Sequence, residues 1–147
     1  MNQTKESKFT RGKALRIVIL AAAVLCAMIL LRGRSDAPDV SSLEGRQAFL
    51  LDHGWEIDPD SEDLRQVQLP QALEGMLLKY NEIQLAQGFD LTEHLGETCS
   101  QYTYRVTNYP DETQTVLATL YIQGKRVIAA DVHSTALNGF LQGLQTE

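Results

Sequence analysis

The stretch Thr115-Val-Leu-Ala-Thr-Leu-Tyr-Ile-Gln-Gly-Lys-Arg-Val-Ile-Ala-Ala-Asp-Val-His133 decides the fold class. In its first half Val116, Ala118, Leu120 and Ile122 alternate with Leu117, Thr119 and Tyr121, the period of two that a pleated strand imposes. Gly124-Lys125 then closes a two-residue hairpin into residues 126–133. Strands joined so tightly run antiparallel. On the second strand Ile128, Ala130 and Val132 form a wholly apolar face that should meet helices. Val127, Ala129, Asp131 and His133 fall on the more open face.

Moving toward the N-terminus, residues 98–109 place Tyr102, Tyr104 and Val106 on one face of another strand, with Pro110-Asp-Glu as a turn. Before it, Leu73, Met76, Leu77, Tyr80, Ile83 and Gln84 recur every three or four residues, a helix that Pro70 can start and Gly88 can end. Thr92 to Leu95 add one more turn. Arg65 to Leu69 alternate as a half-buried strand, preceded by the acidic loop Asp58-Pro-Asp-Ser-Glu-Asp63 and a short strand at Trp55–Ile57. Ser41-Ser-Leu-Glu44 has the form of a capping box, with Ser41 as the cap of a helix running to His53-Gly54. The expected architecture is α+β: two helices packed on one face of an antiparallel sheet of about four to five strands, spanning residues 41–147.

The N-terminal part is of a different kind. The chain has 147 residues and a net charge of −6, but residues 1–35 hold seven bases and one acid, whereas residues 36–147 hold six bases and 18 acids. Between the basic clusters lies Ile17–Leu31, fifteen residues without a charge. With Ala14 and Leu15 included and Arg16 snorkelling, it spans about 27 Å, a short single-pass helix. A cleaved signal peptide competes, since its apolar core is of similar length, but the cleavage sites on offer are poor. Ala21 and Ala23 lie inside the apolar run, and Ser35 and Ala37 would leave Pro38 after the cut. A buried core helix fits the basic flanks least. Five bases precede or enter the run and two follow it, so the N-terminus is expected in the cytoplasm. The resulting division is a basic cytoplasmic tail (1–13), a transmembrane signal-anchor (14–31), a linker (32–40) and an extracytoplasmic domain (41–147).

Tyr80-Asn81, Gly88-Phe89-Asp90-Leu91, Tyr102-Thr-Tyr-Arg-Val-Thr-Asn-Tyr-Pro110 and Asn138-Gly139-Phe140 resemble, in the same order, an uncharacterised domain-of-unknown-function family. Its members are small, often membrane-anchored proteins of clostridial-type Gram-positive bacteria. The likeness runs over roughly residues 43–144. It implies a cell-envelope location and no activity, and it transfers no functional residue.

No chemical motif stands out. His53, His94 and His133 lie far apart, with no H-E-x-x-H or C-x-x-C, so a metal or cofactor is not expected. Asp58, Asp60 and Glu62 begin like a calcium loop, but Asp63 stands where glycine is needed and Leu69 where a bidentate glutamate belongs. Cys99 reads first as a small apolar strand residue, and otherwise as a nucleophile served by His94 or His133 or as the contact of a disulfide-linked dimer. Asp131 reads as a functional carboxylate, or as an edge-strand charge that opposes aggregation, the latter preferred. On an open face it would sit beside His133 as an exposed pair and raise that histidine's pKa. Trp55, Tyr80, Tyr102, Tyr104, Tyr109 and Tyr121 read as core and cross-strand aromatics before a ligand groove. Neither a P-loop nor G-x-S-x-G occurs, and the acidic body should repel nucleic acid.

The reading that follows is a non-enzymatic binding or interaction module. It would be held in the lipid bilayer by its N-terminal helix and act on an envelope protein or wall component. The alternative is a small envelope enzyme, hydrolase or thiol-dependent, using Cys99, His94, His133 and Asp131. A third class is a structural element of an envelope or sporulation complex.

Overall fold

A computed structural model of the chain describes residues 38–111 and 113–145. The apolar run and its basic flanks lie outside these residues, and with them the expected tail and membrane span. Among the described residues no helix is long and apolar enough to cross a membrane.

The strongly alternating segments pair as expected. The chain order is α1 (Leu43–Asp52), β1 (Ile57–Gln68), α2 (Met76–Ala86), a 3-10 turn (Leu91–His94), β2 (Thr98–Val106), β3 (Val116–Gln123), β4 (Arg126–Ser134) and β5 (Leu141–Gln142). The five strands form one antiparallel sheet in sequential order β1-β2-β3-β4-β5, with α2 carried in the β1–β2 connection. At the β3–β4 hairpin Gly124 takes φ 61° while Lys125 does not, the pattern of a type II′ turn.

The main core lies on the face carrying Tyr104, Ala118, Leu120, Ala130 and Val132, where Leu50 of α1 is fully buried. Burying a leucine side chain in this way contributes about 1.5–3 kcal/mol. Val40, expected in the linker, is 1% exposed and packs here too. Trp55 joins the same core and donates from Nε1 to the Leu144 carbonyl at 2.7 Å, which ties the C-terminal segment down. The opposite face carries a second cluster of Leu69, Leu91, Cys99, Ile128 and Ala129, against which Tyr80 of α2 packs.

The two helices therefore do not share one face, as the sequence suggests. The reason is polar. Gln84 accepts from the Ala130 amide at 2.9 Å, and Gln87 donates to the Ala130 carbonyl at 3.0 Å and accepts from the Leu144 amide at 2.7 Å. Two glutamine side chains thus take the place of a neighbouring strand and draw α2 to the β4 margin, from which it leans over the second face.

Three local expectations change with physical cause. α2 starts at Met76 and not at Pro70, because Leu69 and Pro70 are held extended by Leu69 N–H to Glu97 O (2.8 Å) and Gly96 N–H to Pro70 O (3.0 Å). The α1 cap is Ser42, whose Oγ accepts from Gly45 N–H, while Ser41 turns to Asp39. The acidic segment 58–63 is not a free loop but a wide bulge within β1, where the register steps from Asp58↔Arg105 to Asp63↔Thr103.

Candidate functional site

The β4 bulge sets the chemistry of the second face. The register shifts between Tyr121↔Ala129 and Ile122↔Val127, so Val127 joins the main core and Ile128 the second cluster, opposite to strict alternation. Beyond the bulge the expected alternation holds, and Thr103, Thr119 and Asp131 line up in one row across β2, β3 and β4.

Asp131 is not an exposed edge charge. It is 3% exposed, beneath α2. Tyr80 donates from its hydroxyl to Oδ2 at 2.7 Å, and the His133 ring meets Oδ1 through Nδ1 at 2.8 Å. Strand β5 further covers this part of β4 by pairing with Val132 and His133. Burial, with the Asp131 charge beside it, drives the Tyr80 hydroxyl far above its ordinary pKa, so it remains a proton donor. The hydrogen bond to Asp131 raises the His133 pKa, against burial, which lowers it. The expectation that the carboxylate would raise this histidine holds, but through a buried partner.

Tyr80 also lines a half-open cleft of about 560 Å³ between α2 and the sheet. Its walls are mainly aliphatic and aromatic, among them Val67, Leu69, Leu77, Ile83 and Leu91, with Tyr80 and Tyr121 set edge to face at 6.1 Å; Gln68 and Lys79 are its polar members. The Tyr80 hydroxyl is turned to Asp131, and the Tyr121 hydroxyl accepts from Gln101 at 2.9 Å. The outer turns of α2 add Met76, Leu78 and Leu85, all more than half exposed. Nothing in the helical period alone separates this arrangement from ordinary core packing, because the same spacing serves both. The six aromatics singled out from the sequence accordingly divide: Trp55 and Tyr104 are core, Tyr102 packs against that core, Tyr109 stacks on Phe140, and only Tyr80 and Tyr121 line the cleft.

The other candidates are dispersed. Cys99 shares the face of Asp131 but lies two strands away and four residues along, about 16 Å at the backbone, too far for a common step. It is 3% exposed, and burial raises its thiol pKa. His94 lies at the 3-10 turn and holds Glu97 at 2.9 Å. It borders a separate polar recess of about 150 Å³ with Asp90, Glu93 and Arg126. His53 caps α1, its Nδ1 2.7 Å from the Phe49 carbonyl.

Two of the three calcium-like carboxylates are taken by cations: Asp58 pairs with Arg105, and Glu62 with the buried Arg46 at 2.8 Å. Arg46 also donates to Tyr104 Oη and to the carbonyls of Val40 and Ser41, and its guanidinium lies 3.8 Å from the centre of the Tyr102 ring. Burial opposes ionisation of Glu62, but hydrogen bonds from Tyr104 and Arg46 outweigh it and hold the carboxyl below its ordinary range. Among the described residues no group of three metal-ligating side chains comes together.

No curated protein and no solved structure matches the chain. Residues 49–132, from within α1 to β4, match the model of a domain of unknown function, DUF4830. The matched span contains the β1 bulge, all of α2 and Asp131, and it covers more than half of the sequence, so the chain belongs to the DUF4830 family.

Proposed function

We propose that the protein is a non-enzymatic binding module whose ligand enters the cleft between α2 and the sheet. It would be tethered outside the cytoplasmic membrane by residues 14–31, as in the clostridial-type envelope proteins that its sequence resembles. The cleft carries the reading. Its volume lies within the range typical of small-molecule sites, and its walls are mainly apolar, with Gln68 and Lys79 as polar members and the Tyr80 hydroxyl turned to Asp131. The basic flanks of the apolar run support the tether, and the excess of 18 acids over six bases in residues 36–147 speaks against nucleic acid as partner.

The test is photolabelling of the full chain in native membranes with a neutral alkyl diazirine. Label is expected in the peptides covering residues 67–91, and should be lost in Ile83→Arg while hydrogen exchange in β2–β4 is unchanged. Label spread evenly over the domain would overturn the reading.

A second reading draws on the Asp131–His133 pair, because a buried carboxylate orienting a half-exposed imidazole is the arrangement of a general base. Turnover abolished by His133→Asn, in a screen of esters and amides, would replace the first reading with this one.

A further inference from the structure

The sheet ends on two unequal edges. Strand β5 has two residues and β1 has 12, and among the described residues no strand pairs with the outer side of β1. A long open edge is a template for another strand unless a bulge, a proline or a cover blunts it. Pro59 and the wide bulge blunt residues 58–63, whereas residues 64–68 carry neither. Residues 62–66 are all exposed.

The direction of the backbone on this half follows from one bond. The Leu69 amide donates to Glu97 O at 2.8 Å, continuing the β1–β2 ladder past Gln68↔Thr98. Bonded positions alternate along an antiparallel strand. Asp63, Arg65 and Val67 therefore bond to β2, and Leu64, Gln66 and Gln68 turn their N–H and C=O groups to the open side.

The side chains select the strand that fits there. Asp63 and Arg65 share one face, meet each other at 2.8 Å, and leave more than half of each side chain exposed. Leu64 between them is half exposed. Asp-Leu-Arg reads in reverse as Arg-Leu-Asp, so an antiparallel second copy centred on Leu64 sets each Asp63 opposite the other copy's Arg65. The four charges then form a ring of alternating sign, the two leucines cover each other, and Glu62 falls opposite Gln66. Centring the pair on Asp63 or on Arg65 sets like charges face to face, and centring it on Gln66 leaves Arg65 opposite Val67. A centre between two residues opposes an outward-bonding position to one already bonded within the sheet.

We propose that β1 is a homodimerisation edge, residues 62–66 of two copies pairing antiparallel about a two-fold axis through Leu64. The two Leu64 residues exchange backbone hydrogen bonds, with Cα atoms about 5.5 Å apart, within disulfide reach. The two Gln66 positions are offset by four residues, about 14 Å, and the two Gln68 positions by eight, about 27 Å. Both lie beyond that reach.

The test is diamide oxidation of intact cells making two differently tagged forms of the full chain, each with Cys26→Ser and one new cysteine. Leu64→Cys is expected to give a disulfide dimer carrying both tags, and Gln66→Cys and Gln68→Cys to remain monomeric. Adding Asp63→Arg or Arg65→Asp to Leu64→Cys should lower the dimer about three- to tenfold, because two attractive cross-strand pairs become repulsive. Co-expression of these two charge variants should restore it as a mixed dimer, one copy supplying two arginines and the other two aspartates. A charge pair serving only its own chain gives no such rescue, and its absence overturns the register. No dimer from Leu64→Cys, or equal dimer at all three positions, overturns the proposal. Capture of Leu64→Cys on a different polypeptide overturns the second copy as occupant of the edge.

Discussion

The Tyr80 hydroxyl on α2 donates a 2.7 Å hydrogen bond to the Asp131 carboxylate on β4, joining positions 51 residues apart. Apolar packing alone does not hold this helix, since Met76, Leu77, Leu78 and Leu85 all remain substantially exposed. The roof of the cleft is instead positioned by polar links, this one and those of Gln84 and Gln87 to Ala130.

Asp131→Asn should therefore cost about 1–3 kcal/mol, because the Tyr80 hydroxyl and the His133 N–H both need acceptors and an amide offers one oxygen. Tyr80→Phe should fall in the same range, leaving a buried carboxylate oxygen without its donor. Denaturant midpoints at constant m-value measure both. A change under about 0.5 kcal/mol, the scale of ordinary surface substitutions, would mean that the pair is hydrated and α2 is held otherwise.

The His133 pKa lies above its ordinary 6.5 in the folded state. A group with a raised folded pKa stabilises fully below its unfolded value and loses that contribution as pH rises through the folded one. Stability should accordingly fall as pH rises above 6.5 and through the raised folded value, and His133→Asn should flatten this part of the profile. An NMR titration of the ring should give a midpoint above 6.5 in the wild type and a lower one in Asp131→Asn. A wild-type midpoint below 6.5 would contradict the pairing.

Much of the fold was legible because β2, β3 and β4 alternate cleanly and Gly124-Lys125 leaves one way to join the last two. The end of α2 was equally readable: Gly88 takes φ 84° and Phe89 N–H returns to Gln84 O at 3.0 Å. What escaped depends on one extra residue or on a tertiary partner. A bulge at 127–128 has no local signature, yet it reverses the faces of Val127 and Ile128. Asp131 reads as exposed from its strand alone, because its cover comes from Tyr80, whose spacing marks only a helix face. Gln84 falls on the helix face that Tyr80 and Ile83 mark, but that spacing does not show that it and Gln87 bond to the backbone of β4 at Ala130. The cleft is a product of those same contacts, so its walls were visible as apolar positions but not as a cavity.

Arg46 is 4% exposed and meets Glu62, Tyr104 and two carbonyls. Glu62→Gln removes the charge that compensates it and should cost about 1.5–3 kcal/mol, the range for hydrogen bonds to charged groups. The carboxyl's lowered pKa gives the sign with pH. Its contribution is present above the ordinary 4.5 and lost as pH falls through the lower folded value. Acid unfolding of Glu62→Gln should thus be shallower than that of the wild type. Identical acid limbs would show that other carboxylates dominate.

Cys99 should be inert in the native protein. A buried thiol with a raised pKa offers little thiolate to an alkylating reagent. In Cys26→Ser, where Cys99 is the remaining thiol, labelling by iodoacetamide should proceed only at the rate of unfolding and become rapid in denaturant. Fast stoichiometric labelling in native buffer would restore Cys99 as a candidate nucleophile.

The proposed tether makes the broadest prediction. Five bases precede or enter Ile17–Leu31 and two follow it, which favours retention of the N-terminus in the cytoplasm. In a Gram-positive host, protease added to intact protoplasts should digest the domain from Ser41 onward. A tag placed before Met1 should remain protected until the membrane is opened. The margin of three bases also gives a graded test, since Arg32→Glu with Arg34→Glu should strengthen the orientation, whereas removing Lys5, Lys8 and Arg11 together should weaken it. Protection of the domain in intact protoplasts would reverse the topology. Recovery of a mature chain beginning near Val24 or Pro38 would replace the anchor with a cleaved leader, leaving the cleft and its ligand to be sought in a released protein.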